Sequence, residues 1–274
     1  MPGADPPDDG FAALLQKISR DRGLCCAGYK ATCLRRRVGV RMRARAVHQF
    51  GDYAALLDQD AHEYDLLLDA LTINVTRLFR NVEVYHAMLR EVVAPLWAAA
   101  TPRIRVWSAG CASGEEPYSL AVLFGLHAEA QGDLPRLSRV DILGTDIDRR
   151  SLEAAGRCEF DPRDFDETPA EWRSRFFQAA APFTLDAALR RVVRFQRHDM
   201  LAEEPPRPVN DLIVCRNAII YFDRASQDRL FDSFHAALAP GGFLVLGKVE
   251  TLLGRARRLF QPVNGRERIF QRAE

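Results

Sequence analysis

Between Phe11 and about residue 90, apolar residues recur at three- and four-residue steps: Phe11, Leu14, Leu15 and Ile18, then Leu34, Val38 and Met42. Tyr53, Leu56 and Leu57 follow, and then Leu66, Leu67, Leu68 and Leu71. That spacing puts the apolar positions on one face of a helix. Almost nothing in the stretch alternates as a strand would, so it predicts a small helical bundle. Past Pro102 the pattern changes to short apolar runs separated by helical segments. Arg103–Ser108, Val140–Gly144, Asp211–Cys215 and Phe243–Gly247 read as strands, with a last strand at Arg268–Phe270. Glu115–His127, Arg149–Ala155 and Arg224–Leu238 read as helices, and Pro240-Gly241-Gly242 as a turn. Strand–helix alternation of this kind predicts an α/β fold with a doubly wound sheet. Residues 158–195 break the alternation and predict an inserted subdomain, with Leu185–Phe195 as a short hairpin.

The expected organisation is a disordered tail over 1–10, a helical domain over 11–90, and an α/β domain over 91–274 carrying the insert. The tail, Met1-Pro-Gly-Ala-Asp-Pro-Pro-Asp-Asp-Gly10, is acidic and Pro-rich, unlike a signal or transit peptide. No apolar run is long enough to span a bilayer. Six cysteines, Cys25, Cys26, Cys33, Cys111, Cys158 and Cys215, include no CxxC pair, and no His cluster has metal-ligand spacing. Free thiols in a reducing cytoplasm, and no bound metal, are the expectation. A net charge of +1 gives no whole-molecule field to attract nucleic acid.

The charge is nevertheless uneven. No acid occurs between Asp21 and Asp52, a stretch that holds Arg22, Lys30, Arg35, Arg36, Arg37, Arg41, Arg43 and Arg45. Leu34, Val38 and Met42 would bury one helix face, and Arg37, Arg41 and Arg45 share a neighbouring one at the same spacing. Such a helix suits nucleic acid, an acidic membrane or an acidic protein helix, and a solvated charged face is the plain alternative.

Candidate ligand chemistry gathers at the predicted strand ends, where open α/β sheets bind ligands. The first strand runs into Ser108-Ala-Gly-Cys-Ala-Ser-Gly-Glu-Glu-Pro-Tyr-Ser119. Gly110 and Gly114 bracket small residues that let backbone approach a ligand. The loop has neither GxGxxG spacing nor a P-loop Lys, and a glutamate at its mouth suits a cationic ligand better than a triphosphate. An ordinary strand-to-helix turn, with Glu115 and Glu116 complementing the helix dipole, is the alternative. In Thr145-Asp146-Ile147-Asp148, Asp146 fits a carboxylate that accepts from ribose hydroxyls, and Asp148 fits a helix N-cap. Downstream, Asp211–Phe222 is an apolar strand running into the polar pair Arg216–Asn217.

These segments resemble the CheR chemoreceptor methyltransferases, over about Gly28 to Phe270. The resemblance rests on Tyr29-Lys30 with Leu34-Arg-Arg-Arg, Asn74-Val-Thr-Arg-Leu-Phe-Arg80, Trp107–Ser119, Thr145–Asp148 and Cys215-Arg-Asn-Ala-Ile-Ile-Tyr-Phe222. It implies a class I, Rossmann-like S-adenosylmethionine-dependent methyltransferase with an N-terminal helical domain and a small inserted β-subdomain. The implied product is glutamate 5-O-methyl ester on cytoplasmic chemoreceptor domains, with S-adenosylhomocysteine released. The family's cofactor contacts fall on Asn74, Thr76, Arg80, Gly110, Glu115, Asp146, Asp199, Met200, Arg216 and Asn217. Glu115 would hold the cationic methionine moiety, Asp146 the ribose, and Asp199 with Met200 the adenine. Arg80 and Tyr221 would stand at the reacting centre. Arg35, Arg37, Arg41 and Arg45 would meet the receptor's methylation helices. Two positions depart from the family pattern: Asp199 is commonly Asn, and Gly247-Lys-Val-Glu250 stands where relatives often read Gly-His-Ser-Glu. The insert lacks the longer Gly-containing loop of members that dock a receptor C-terminal pentapeptide, so a pentapeptide-independent enzyme is expected. His198, beside Asp199, is expected at the surface. A methyltransferase of another signalling protein or a small acid, and a non-catalytic sensor of the cofactor, are the competing readings; a nucleic-acid binder is disfavoured because aromatics are not interleaved with basic residues outside the basic helix.

Overall fold

Four amphipathic helices open the chain: α1 (Phe11–Arg22), α2 (Ala31–Ala44), α3 (Phe50–Gln59) and α4 (Ala61–Leu71). The computed structural model describes residues 10–72, 76–99 and 101–273. Phe11, Leu14, Ile18, Leu34, Val38, Met42, Tyr53, Leu57, Leu67 and Leu71 are all buried, so the three- and four-residue spacing does mark the inward faces. Asp60 caps α4 by accepting from the Glu63 N–H at 2.9 Å.

Helices α5 (Val82–Met88) and α6 (Ala94–Ala98) are followed by β1 (Ile104–Ala109), α7 (Glu115–Ala130), β2 (Val140–Asp146) and α8 (Arg149–Arg157). The insert contributes β3 (Glu159–Phe160), α9 (Ala170–Phe176), β4 (Phe183–Thr184) and α10 (Ala187–Arg190). Then come β5 (Val193–Arg197), β6 (Asn210–Cys215), α11 (Arg224–Ala237), β7 (Leu238–Leu246), α12 (Ala256–Leu259), β8 (Phe260–Asn264) and β9 (Ile269–Arg272). The main sheet has the order β5-β2-β1-β6-β7-β9-β8. It is parallel from β5 to β7, and β9 runs antiparallel to both β7 and β8. The chain leaves β1 toward β2 on one side and returns to β6 on the other, which makes the carboxyl ends of β1 and β6 the switch point.

The chain divides into two compact units. One holds the described residues of Met1–Ile73 together with Tyr221–Ser226; the other holds those of Asn74–Ile220 and Gln227–Glu274. Helices α5 and α6 belong with the sheet, since Val84, Tyr85, Met88, Leu96 and Trp97 lie in its hydrophobic cluster. Two of the buried polar groups there are paired across the fold: the Trp107 indole N–H donates to Thr145 Oγ1 at 2.9 Å and the Tyr118 hydroxyl to the Ala155 carbonyl at 2.8 Å. α7 is buried along most of its length, as a helix apolar on every side must be.

Two local expectations are corrected. Leu185–Phe195 is not a hairpin: residues 187–190 are helical, and β5 adds to the main sheet parallel to β2, pairing Ile142 with Val193. In the insert β3 pairs with β4, two residues long in each strand, and an isolated antiparallel bridge joins Phe177 to Leu185. Pro240-Gly241-Gly242 does not end an element either. β7 runs through it, and the pairing jumps from Asn210–Leu238 to Leu212–Phe243, so the turn chemistry is absorbed as an irregularity inside one strand.

Candidate active site

The turn from β1 into α7 is built on left-handed backbone. Gly110 has φ +78°, Ala112 +47° and Gly114 +96°. A Cβ on Gly114 would lie 2.8 Å from the Ala155 Cβ and 3.0 Å from Phe195 Cζ, so only glycine lets α8 and β5 close on the start of α7. Gly114→Ala should therefore destabilise the protein by about 2–4 kcal/mol, combining left-handed strain with overpacking. Urea unfolding reads this directly; a loss below about 1 kcal/mol would mean the turn has slack. Gly110 serves the site itself. A Cβ there would sit 3.2 Å from both Ala218 Cβ and Met200 Cε, which shows how near Met200 and the end of β6 come to the β1 turn.

Asp146 organises the adjacent strand end. Its Oδ2 accepts from the Ala112 N–H at 2.9 Å and its Oδ1 from the Asp148 N–H at 3.0 Å. Each oxygen keeps a further lone pair for a ligand hydroxyl. Burial raises the pKa of this carboxyl against the pull of those backbone donors. Asp148 caps α8, accepting from the Arg150 N–H and the Ser151 hydroxyl, both at 2.9 Å. The His198 N–H donates to the Asp146 carbonyl at 2.9 Å, which brings Asp199 and Met200 alongside. Asp199 itself turns the chain, its Oδ1 accepting from the Leu201 N–H at 2.9 Å.

His198 is not at the surface. It is buried, its Nε2 lies 2.9 Å from the Glu204 carbonyl oxygen, and its ring meets the edge of Trp107. The indole supplies an apolar cover of which the neighbouring sequence gives no sign.

Glu115 is buried, with both carboxyl oxygens 2.9 Å from the Ser113 hydroxyl and the Thr76 hydroxyl also bonded to it. Among the described residues no basic side chain pairs with it. Burial pushes its pKa up to about 7. A buried carboxylate left without a counter-charge is a place prepared for a cation. Glu116, next along, faces elsewhere: its Oε1 accepts from Ser108 Oγ at 2.7 Å, and Arg216 Nη1 lies 3.6 Å from its Oε2.

Arg216 is almost wholly enclosed. Its Nη2 donates to the Arg80 carbonyl at 2.8 Å and to Asn81 Oδ1 at 3.2 Å, and its Nη1 to the Tyr85 hydroxyl at 3.2 Å. Arg80 itself lies between two left-handed residues, Phe79 (φ 54°) and Asn81 (φ 61°). The Phe79 N–H donates to Ser119 Oγ at 2.9 Å, and that hydroxyl donates to the Glu115 carbonyl at 2.6 Å. Asn217 is also left-handed, and its N–H meets Glu250 Oε2 at 3.0 Å. Glu250 additionally accepts from the Ile219 N–H at 2.9 Å and the Gly247 N–H at 2.6 Å. In the sequence Glu250 is legible only as the last residue of the Gly247–Glu250 string, and Glu116 only as a helix-dipole acid. Asn74 lies outside the described residues.

The remaining candidates belong to the other unit. Arg37 is buried, donates to the Leu71 carbonyl, and stacks its guanidinium 4.5 Å from the centre of the Tyr221 ring. Arg41 grips Glu63 with two bonds, at 3.1 and 2.6 Å. Arg45 reaches Asp60 at 2.8 Å and Glu63 at 3.3 Å. Arg35 packs over Phe11 and Phe50. Arg37, Arg41 and Arg45 each have partners within the helical unit, with Arg37 buried and Arg45 still exposed. Arg35, Arg36, Val40 and Arg43 are exposed on α2.

Sheet order, a left-handed glycine turn after β1, and carboxylates at the start of α7 and the end of β2 define a class I S-adenosylmethionine-dependent methyltransferase. The residues fit that cofactor: Glu115 lacks a counter-cation, Asp146 keeps free lone pairs, and Gly110 leaves room that a Cβ would fill. The family described as CheR methyltransferase, SAM binding domain matches residues 74–269, and its all-alpha domain matches residues 9–72. The chain belongs to the CheR methyltransferase family, and S-adenosylmethionine is its cofactor. It is 33% identical over 240 residues to the chemotaxis protein methyltransferase of Listeria innocua, covering 87% of this chain and 88% of that one. To the enzyme of that name in Klebsiella aerogenes it is 33% identical over 252 residues, covering 89% and 83%. An uncharacterised 104.1 kDa protein of Rhodobacter capsulatus is 32% identical over 97% of this chain, which spans 28% of that protein. Among the described residues no helix is long and apolar enough to cross a membrane, and no group of His, Cys, Asp and Glu is arranged to hold a metal.

Proposed function

We propose that this protein methylates glutamate side chains on the cytoplasmic domains of chemoreceptors, giving glutamate 5-O-methyl esters and S-adenosylhomocysteine. The observation that carries this reading is the buried Glu115 carboxyl, unpaired by any cation among the described residues, in a chain whose relatives include chemotaxis protein methyltransferases. When bound, the cofactor supplies a methyl group activated by its sulfonium. Glu115 holds the cationic amino-acid end, Asp146 the ribose hydroxyls, and Asp199 and Met200 border the adenine. The substrate glutamate, with an ordinary pKa of about 4.3, is already ionised at neutral pH and needs no general base. What it needs is removal of its water and alignment, and Arg80 supplies the second by a charge-assisted hydrogen bond.

On α2, Arg37, Arg41 and Arg45 set the bearing of the helix, and Arg35, Arg36 and Arg43 present charge to the glutamate-bearing receptor helices. In the insert β4 pairs with β3, and the chain beside it with Phe176–Gln178, so much of this segment's backbone is already engaged and little is left for an added strand; this favours an enzyme that works without a receptor C-terminal pentapeptide.

Incubation with methyl-labelled S-adenosylmethionine and a receptor cytoplasmic fragment should give label on the fragment that base releases as methanol. Label that survives base would mean a different acceptor, and none at all would end the proposal. Calorimetry with the pentapeptide should show no tight binding.

A further inference from the structure

We propose that Arg216 is a positioning residue for Arg80, and that its guanidinium does not bind the cofactor. The inference rests on the reading of Arg80 as the group that orients the substrate carboxylate. A guanidinium has five N–H groups. On Arg216 the two at Nη2 meet the Arg80 carbonyl and Asn81 Oδ1. One at Nη1 meets the Tyr85 hydroxyl, and the same nitrogen faces Glu116 Oε2 at 3.6 Å. Nε alone is without a partner. With the Nη donors engaged, the group has no fork left for a ligand, and its side chain is only 3% exposed.

What the fork holds is an uncommon piece of backbone. Phe79 and Asn81, on either side of Arg80, are both left-handed and neither is glycine. Conformations of this kind persist where the surroundings over-determine them, and they concentrate at functional sites. Around Arg80 four groups do so. Ser119 fixes the Phe79 N–H and so keys the segment to the turn that carries Glu115. Arg216 fixes the Arg80 carbonyl and the Asn81 side chain. The Tyr85 ring lies under the guanidinium, its centre 5.3 Å from Cζ, and Phe79 packs against the edge of the same ring. Glu116 balances the buried charge and is itself anchored by Ser108 on β1. The backbone that carries the Arg80 side chain is therefore held by a group at the end of β6, some 136 residues later in the chain.

The test uses the full chain and the variants Arg216→Lys, Tyr85→Phe and Arg80→Ala, with Arg216→Lys also made in the Arg80→Ala background. Calorimetry measures S-adenosylhomocysteine binding, and the labelled-receptor assay gives kcat and KM. Lysine keeps the charge but not the fork, so Arg216→Lys should lower kcat about 100-fold while product affinity and receptor KM stay within about threefold. Tyr85→Phe, which keeps the ring, should lower kcat about three- to tenfold with product affinity unchanged. In the Arg80→Ala background Arg216→Lys should cost less than about threefold more, because its effect passes through Arg80. A tenfold or greater loss of product affinity in Arg216→Lys would overturn the inference, as would an equal loss of kcat with and without Arg80. Should Arg216→Lys fail to fold, Tyr85→Phe alone decides, between a fall in kcat and a fall in affinity. Failure of the substrate assignment is recognised separately, since the unaltered protein would then leave the receptor fragment unlabelled.

Discussion

Arg80→Ala should lower kcat/KM for receptor methylation by about 100- to 1,000-fold, the cost of removing one charge-assisted donor from a reacting group. The fold should survive. The Phe79 N–H on Ser119, the Arg80 carbonyl under Arg216 and the Asn81 amide oxygen on the same guanidinium hold the segment through backbone atoms or other side chains. Truncation beyond Cβ leaves all three in place, so thermal unfolding should shift little. Product affinity should fall by less than the rate does, because the lost interaction is with the incoming carboxylate. Arg80→Lys should recover part of the rate but not all, since an ammonium keeps the charge and loses the planar fork. A folded Arg80→Ala protein that methylates at the unaltered rate would leave Arg80 a purely structural residue.

Much of the sheet is readable because buried parallel strands are continuous apolar runs followed by helices. The division of labour between Asp146 and Asp148 is readable too, since an N-cap needs an acid directly before the helix and a ribose site needs one at the strand end. What cannot be read are pairings made by distant chain. Arg37, Arg41 and Arg45 look like an open basic row because no acid is near them in sequence; their partners, Leu71, Glu63 and Asp60, come from α4 and its ends. β5 reads as half of a hairpin because a short amphipathic strand does not announce which neighbour it pairs with, and the partner is β2 rather than the preceding segment. Arg216 is visible as a polar group at the end of an apolar strand, but its engagement with Arg80 and Tyr85 is not. The same holds for Glu250, whose three backbone partners span two loops.

Glu115→Gln should separate stability from cofactor binding, with opposite signs. In the ligand-free protein burial raises the Glu115 pKa from its ordinary 4.5 to about 7. Between those values the folded state holds a proton that the unfolded state has released, so stability falls as pH rises through that window and the full penalty applies above it. The penalty is about 3 kcal/mol above pH 7, and it vanishes below about 4.5. Glutamine has the same shape and no charge to bury. Glu115→Gln should therefore be more stable than the unaltered protein at pH 8 by up to about 3 kcal/mol, and equal to it near pH 4.5, as urea unfolding at the two pH values would show. Binding should go the other way. The cationic end of the ligand needs the ionised carboxylate, so the dissociation constant should rise about tenfold for each pH unit below 7 in the unaltered protein. In Glu115→Gln that acid limb should disappear, and affinity at pH 8 should be lower by at least about tenfold. The destabilising charge is the one the cofactor needs, which is why burial is tolerated there. A variant that lost stability at pH 8 would remove the buried-charge penalty from Glu115, and one that bound S-adenosylmethionine as tightly as before would remove its role in holding the cofactor.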